Sequence, residues 1–264
     1  MLRARLATAA VAIPLLLLLI FVSPVWLLGL VVGSIAVLGL LEFATMVFAN
    51  QLRDRVVAIV LGTLVTAAAI QGHGLKLFAA LTAAFTLGLV WTYVGRRDFE
   101  KGLTDIGLML IGILYVGFLL PHFVWLRQEQ HGTGWMTLVL STSMLGDSSG
   151  YFIGHALGRH KLAPRVSPGK TIEGALAIVA GSVVASLVVC VLLLPQVGWL
   201  EANVLGVVLA VLAQLGDLSE SVMKRTFDTK ESGWILPGHG GVLDRIDSLL
   251  FPVAFVYYYT VLLR

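Results

Sequence analysis

The sequence predicts an all-α integral membrane protein, a polytopic bundle of about nine transmembrane helices, and three observations predict it. Only 12% of the 264 residues are charged against 58% hydrophobic, with a mean hydropathy of +0.93, whereas an average soluble domain carries roughly 25% charged residues. That is too little charge to wet a globular surface. The apolar residues fall into stretches close to the roughly 20 that a spanning helix needs. Finally, 15 of the 18 Lys and Arg lie on one side of those stretches, the asymmetry described by the positive-inside rule. Low net charge and abundant Leu, Val and Ala exclude disorder. The single cysteine, Cys190, excludes a disulfide scaffold or a Cys-based zinc site. A formal charge of +3 spread over the whole chain is too weak a field for a nucleic-acid partner.

The first candidate span, 6–22, follows Arg3 and Arg5 and includes Leu15 to Leu19. Its apolar run exceeds a secretory h-region, and Ser23-Pro24-Val25-Trp26 has no small-x-small cleavage site, so it reads as an uncleaved span. Next come 27–48, 56–71, 77–95, 105–126, 135–156, 175–194, 204–222 and 249–263; the third and ninth are short, and the sixth and eighth end in polar residues. The N-terminus is then cytoplasmic together with Arg53 and Arg55, Arg96 to Lys101, Arg159 to Lys170, and Lys224 to Arg245. Lys76, Arg127 and the C-terminal Arg264 fall on the other side. No repeat, and no soluble segment longer than about 25 residues, separates the spans, which argues for one membrane domain over 1–264. The cytoplasmic loops 157–174 and 223–248 hold most of the Gly, Pro, Ser and charge.

A carboxylate in a spanning helix costs about 2.5–3.5 kcal/mol on insertion scales, so each needs a reason. Glu42, in the second span, is either paired near a helix end or functional, and the sequence leaves both open. Asp147 sits in Leu145-Gly146-Asp147-Ser148-Ser149-Gly150-Tyr151, a polar, glycine-broken end to the sixth span, tolerated at that depth only against protein or water. Asp217, Glu220, Ser221, Lys224 and Arg225 share one helical face. An exposed i,i+4 pair of Glu220 with Lys224 explains those two but leaves Gln214 and Asp217 without a role. His73, His122, His131, His155 and His160 share no spacing and read as loop or interface residues rather than ligands.

The stretch from Lys224 to Ser248 combines four cations with several glycines and with Asp244 and Asp247 at i,i+3. Phosphates are bound by Lys, Arg and glycine-freed backbone N–H groups, and magnesium by one or two carboxylates plus substrate phosphate oxygens. These are the parts for holding a nucleoside triphosphate with its metal. Ser167-Pro168-Gly169-Lys170-Thr171 looks like a second phosphate motif, but the first glycine of a P-loop falls on Pro164, so the Walker reading fails. Lys170, Ser167 and Thr171 remain available to phosphate by electrostatics.

The C-terminal residues resemble the phosphatidate cytidylyltransferases, or CDP-diacylglycerol synthases. The resemblance runs through Ser221-Val222-Met223-Lys224-Arg225, Lys230, Gly233, Leu236-Pro237, His239-Gly240-Gly241 and Asp244-Arg245-Ile246-Asp247. Upstream it takes in Asp147 to Gly158, Lys161 to Pro164, Ser167-Pro168, Lys170 to Gly174 and Gly216-Asp217-Leu218-Ser219-Glu220. Glu231 stands where the signature has Asp, Gly169 where a second Lys is usual, and Ile172 where an aromatic is usual.

This resemblance implies N-terminal helices over 1–134 and a catalytic half over 135–264, in a bacterial inner membrane with the site facing the cytoplasm. It implies the reaction of CTP with phosphatidate to give CDP-diacylglycerol and pyrophosphate. Asp217, Asp244 and Asp247 would hold divalent metal, a pair of Mg2+ ions, with a monovalent ion as a further candidate. Lys224, Arg225, Lys230 and Arg245 would neutralise phosphate, and His239, Gly240 and Gly241 would let backbone amides approach it. Asp147, Lys170 and Glu173, with Ser167, Thr171, Ser219 and Ser221, would complete the substrate site. Partners are CTP, bilayer phosphatidate and membrane lipids, and glycine-rich spans such as Gly29 to Gly39 suit packing within a chain or in a homodimer. A CTP-dependent lipid kinase and an ion-coupled transporter are the competing readings.

Overall fold

The computed structural model describes residues 14–94, 98–233 and 240–264, and these are overwhelmingly helical. Residues 14–21 are helical; the rest of the first predicted span lies outside the described residues. There follow α1 (Val25–Val47), α2 (Leu52–Ile70), α3 (Leu75–Tyr93) and α4 (Phe99–Gly112), which continues as a π-helical segment, Ile113–Phe118. After α5 (His122–Gln128) and α6 (Gly132–Leu157), strands β1 (Lys161–Ala163) and β2 (Ser167–Thr171) lead to α7 (Ile172–Leu193), α8 (Trp199–Thr226) and α9 (Leu243–Leu263). Pro24, Gly74 and Gly198 stand at helix starts, while Asp98 and Thr171 cap α4 and α7 with their side chains.

Among the described residues five helices are long and apolar enough to cross a membrane: α1, the run Phe99–Gln128, α7, α8 and α9. The 19-residue α2 starts with Arg53, Asp54 and Arg55, and α3 has a shorter apolar run, Leu75–Trp91. Large apolar side chains such as Trp26, Phe78, Val191 and Leu192 point outward. This is the inverse of a soluble surface and the mark of an integral membrane protein.

The structure corrects the sequence reading in three places. The sixth span is not broken: α6 is one 26-residue helix through Gly146, Gly150 and Gly154. Its glycines serve packing, because a Cβ would lie 2.5 Å from Ser182 Oγ at Gly146 and 2.4 Å from Ile178 Cγ1 at Gly150, so α6 and α7 approach closely only without those side chains. The loop 157–174 holds an antiparallel hairpin pairing Lys161 with Thr171 and Ala163 with Ser167. Its strand β2 contains the Ser167-to-Thr171 motif. Finally, α9 begins six residues before the predicted span, so Asp244 and Asp247 lie in its first turns.

The chain ends of the bundle are distinct. One end is tied by Arg264, Glu201 and Tyr259, with the Arg264 guanidinium 5.7 Å above the Trp135 ring. His122 is fully buried near that end, against Phe118, Trp125 and Tyr257; it is a core residue, not the loop or interface residue expected. Gly29 and Gly33 pack on Ile70 and Gly39 on Val116, so this glycine stripe serves contacts within the chain. The opposite end gathers the C-termini of α1, α6 and α8, the hairpin, and the N-terminus of α9.

Candidate active site

At that end a cavity of about 230 Å3 is lined by Asp147 of α6, Asp217, Glu220 and Lys224 of α8, and Asp244, Arg245, Asp247 and Ser248 of α9. Helical spacing puts the α8 groups on one face. Gly216 lets that face meet α9, because a Cβ there would lie 2.2 Å from the Asp247 carbonyl oxygen, a backbone atom that cannot swing aside. Tyr115, from the π-helical segment, donates its hydroxyl to the Gly216 carbonyl at 3.1 Å. A π-helical turn widens the helix and is frequent at functional sites; here it carries the side chain that bridges to the α8–α9 crossing.

Lys224 occupies the centre. Its ammonium lies 2.6 Å from Glu220 Oε2 and 2.5 Å from Asp244 Oδ1. Glu220 is completely buried, so its pairing with Lys224 is not the solvated helix end that i,i+4 spacing alone allows. The other oxygen of Asp244 accepts from Ser232 N at 3.1 Å, Ser232 Oγ at 2.9 Å and Gly241 N at 2.9 Å. Gly240, at φ +77°, supplies the left-handed turn that precedes that donor. Asp217 pairs with Lys170 at 2.6 Å and accepts from Ser221 Oγ at 3.4 Å. Asp147 accepts from Ser248 Oγ at 3.5 Å, and Asp247 accepts from Ser248 N at 2.7 Å.

Other predicted residues take supporting positions. Glu173 accepts from Arg159 N at 3.1 Å and from the backbone and ring nitrogens of His160, organising the approach to the hairpin. Thr171 accepts from Gly174 N and caps α7. Arg225 donates to the carbonyls of Val166 and Thr229 at 3.2 Å each, tying α8 to the hairpin turn. Ser219 turns back to its own helix, donating to Leu215 O. Ser167 lies in β2 and Lys230 is exposed; His239 lies outside the described residues. Sequence reasoning gave no role to Ser232 and Ser248, although both lie within the Lys224-to-Ser248 stretch, and it missed Tyr115, which sits in an apolar run with no chemical motif around it. It left Glu42 open, although a carboxylate within a span was the signal.

The cavity lining holds five carboxylates against Lys224 and Arg245. This surplus of hard oxygen donors fits a divalent cation. Among the described residues no three Asp, Glu, His or Cys side chains converge as a metal cage. Magnesium bound through one or two carboxylates and completed by substrate phosphate oxygens needs no such cage, and Asp217, Asp244 and Asp247 fit that mode.

The chain matches the model of the cytidylyltransferase family over residues 3–263. It is 38% identical over 185 residues to a phosphatidate cytidylyltransferase of Bacillus subtilis, covering 69% of this chain and 67% of that one. It is 43% identical over 148 residues to the protein of the same name from Brucella abortus, covering 55% of this chain and about half, 54%, of the relative. A third of that name, from Synechocystis, is 29% identical across 98% of this chain and 96% of its own length.

Proposed function

The chain belongs to the cytidylyltransferase family, and from that premise we propose that it is a phosphatidate cytidylyltransferase, making CDP-diacylglycerol and pyrophosphate from CTP and phosphatidate. The observation that carries this reading is the meeting of Lys224 and Arg245 with Asp147, Asp217, Asp244 and Asp247 at one cavity, with Lys170 paired to the Asp217 of its lining. Lipid phosphate and triphosphate are both anions, so bringing them together requires fixed cations and held geometry more than an activated side chain.

A phosphatidate phosphate oxygen attacks the α-phosphorus of CTP. The new P–O bond forms as the bond from the α-phosphorus to the α,β-bridging oxygen breaks, and pyrophosphate leaves with that electron pair. Phosphatidate is already anionic near neutral pH, so no protein base has to generate the nucleophile. Lys224 and Arg245 neutralise the triphosphate, and Gly240 and Gly241 let backbone amides approach it, with His239 alongside. Lys170 serves the lipid side with Asp147. Arg225 and Glu173 hold the hairpin that carries Lys170, and Lys230 adds positive charge at the rim. Asp217, Asp244 and Asp247 would hold divalent metal, a pair of Mg2+ ions, which when bound supplies charge neutralisation along the triphosphate.

The distribution of cations supports a cytoplasmic site, with nine spans, a cytoplasmic N-terminus and the C-terminus opposite, and the bacterial relatives support an inner-membrane setting. Helices over 1–134 support a catalytic half over 135–264 within one membrane domain. The acyl chains stay in the bilayer, which calls for a lateral opening at the cytoplasmic leaflet.

The test is product identity from protein reconstituted with CTP and phosphatidate: pyrophosphate with CDP-diacylglycerol is expected. CDP with a phosphorylated lipid points to a lipid kinase, and no turnover of CTP refutes the proposed reaction and leaves the transporter reading. Asp244→Asn should abolish turnover while the protein stays folded, because a neutral amide is a far poorer ligand for a divalent cation than the carboxylate it replaces; retained product formation refutes the metal role of Asp244.

A further inference from the structure

Glu42 lies in α1, about 200 positions in sequence from the site, and is 2% exposed. Its carboxylate accepts from Val242 N at 3.0 Å, Leu243 N at 2.8 Å and Ser232 Oγ at 3.3 Å. The first two are free N–H groups at the start of α9, where the residue before the helix is Val242 and supplies no side-chain cap. A helix start without Ser, Thr, Asp or Asn leaves buried donors that must find another acceptor. A carboxylate is the favoured one, because it also meets the positive end of the helix dipole.

The surrounding sequence is shaped to admit this group. A Cβ on Gly233 would lie 2.4 Å from Glu42 Oε1, and one on Gly241 would lie 2.6 Å from Oε2. Glu42 therefore clasps both sides of the segment between α8 and α9: Ser232 and Gly233 on one, Gly241 to Leu243 on the other. Ser232 is shared, since its hydroxyl is within reach of both Glu42 and Asp244 and its N–H donates to Asp244. Asp244 in turn holds Lys224.

We infer that Glu42 is a positioning residue for the reaction: a cap supplied by α1 that fixes the start of α9 and, through Ser232, the placement of Asp244 and Lys224. This rests on the function proposed above. It makes the N-terminal half part of the site's architecture.

The test compares Glu42→Gln with wild type in detergent micelles, reading steady-state kinetics and amide hydrogen exchange over 25–47 and 240–263. Glutamine keeps the size but offers one acceptor oxygen and turns an amide toward a donor. Exchange at Val242 and Leu243 should rise about tenfold or more, with protection over 250–263 retained. The kcat should fall about 10- to 100-fold with the KM for phosphatidate unchanged, and Gly233→Ala should behave alike by displacing the carboxylate. Exchange and kcat both within twofold of wild type overturn the inference. So does loss of protection throughout α1 and α9, which would make Glu42 a support of the fold as a whole. Wild-type protein that forms no CDP-diacylglycerol refutes the proposed reaction, while exchange at 242–243 still decides the cap.

Discussion

Replacing Lys224 by Met keeps an unbranched side chain only one atom shorter and removes the charge that separates two carboxylates. The side chains concerned are 11% exposed for Lys224, 0% for Glu220 and 15% for Asp244, so water cannot take over the role of the ammonium. Breaking a buried pair by removing one partner costs about 3–5 kcal/mol, because the remaining charge is left uncompensated. In a chain of this size that corresponds to a fall of about 6–20 °C in unfolding midpoint. Midpoints follow from tryptophan fluorescence of the detergent-solubilised protein on heating. A second substitution separates lost charge from lost packing: Lys224→Met with Glu220→Gln neutralises the stranded carboxylate and should recover at least about 1.5 kcal/mol of the loss. A midpoint for Lys224→Met within 2 °C of wild type, or no recovery in the double variant, refutes the assignment of Lys224 as the charge that holds α8 to α9.

Gly216→Ala should lower stability by about 1–3 kcal/mol and turnover about a hundredfold, since its Cβ would displace the Asp247 backbone 2.2 Å away; the thermal midpoint and kcat of purified protein check both. Gly206→Ala, whose Cβ would lie 2.6 Å from Val183 Cα at the α7–α8 contact away from the cavity, should cost a similar amount of stability and leave kcat per folded molecule unchanged. Gly169→Lys places the side chain in open space; its midpoint should match wild type within about 0.5 kcal/mol, and a fall in KM for either phosphate-bearing substrate would show that a lysine here reaches the site. Chelation of divalent ions should stop turnover and restoration of Mg2+ should return it, measured as pyrophosphate release; activity that survives chelation refutes the metal role of the three aspartates.

Much of the site was legible because its groups sit at short, regular spacings. Asp217, Glu220, Ser221 and Lys224 share a helical face on any straight helix, and Asp244 and Asp247 follow the same rule. The reading of Gly146 and Gly150 as a helix break went wrong because glycine in a sequence marks either a bend or a close contact. Only the neighbouring Ser182 and Ile178 of α7 decide between them. The start of α9 was placed late because Asp244 and Asp247 are polar, and a hydropathy window ends where charge begins although the helix does not.

By itself the sequence determined the membrane setting and the local order of the charged groups that line the cavity, since hydropathy and helical period are properties of neighbouring residues. The tertiary structure decided which distant groups complete one another: Lys170 with Asp217, Lys224 between Glu220 and Asp244, and Glu42 on the bare N–H groups of α9. Buried charges and helix ends must find partners wherever the fold offers them, and no local pattern in the chain says which partner that will be.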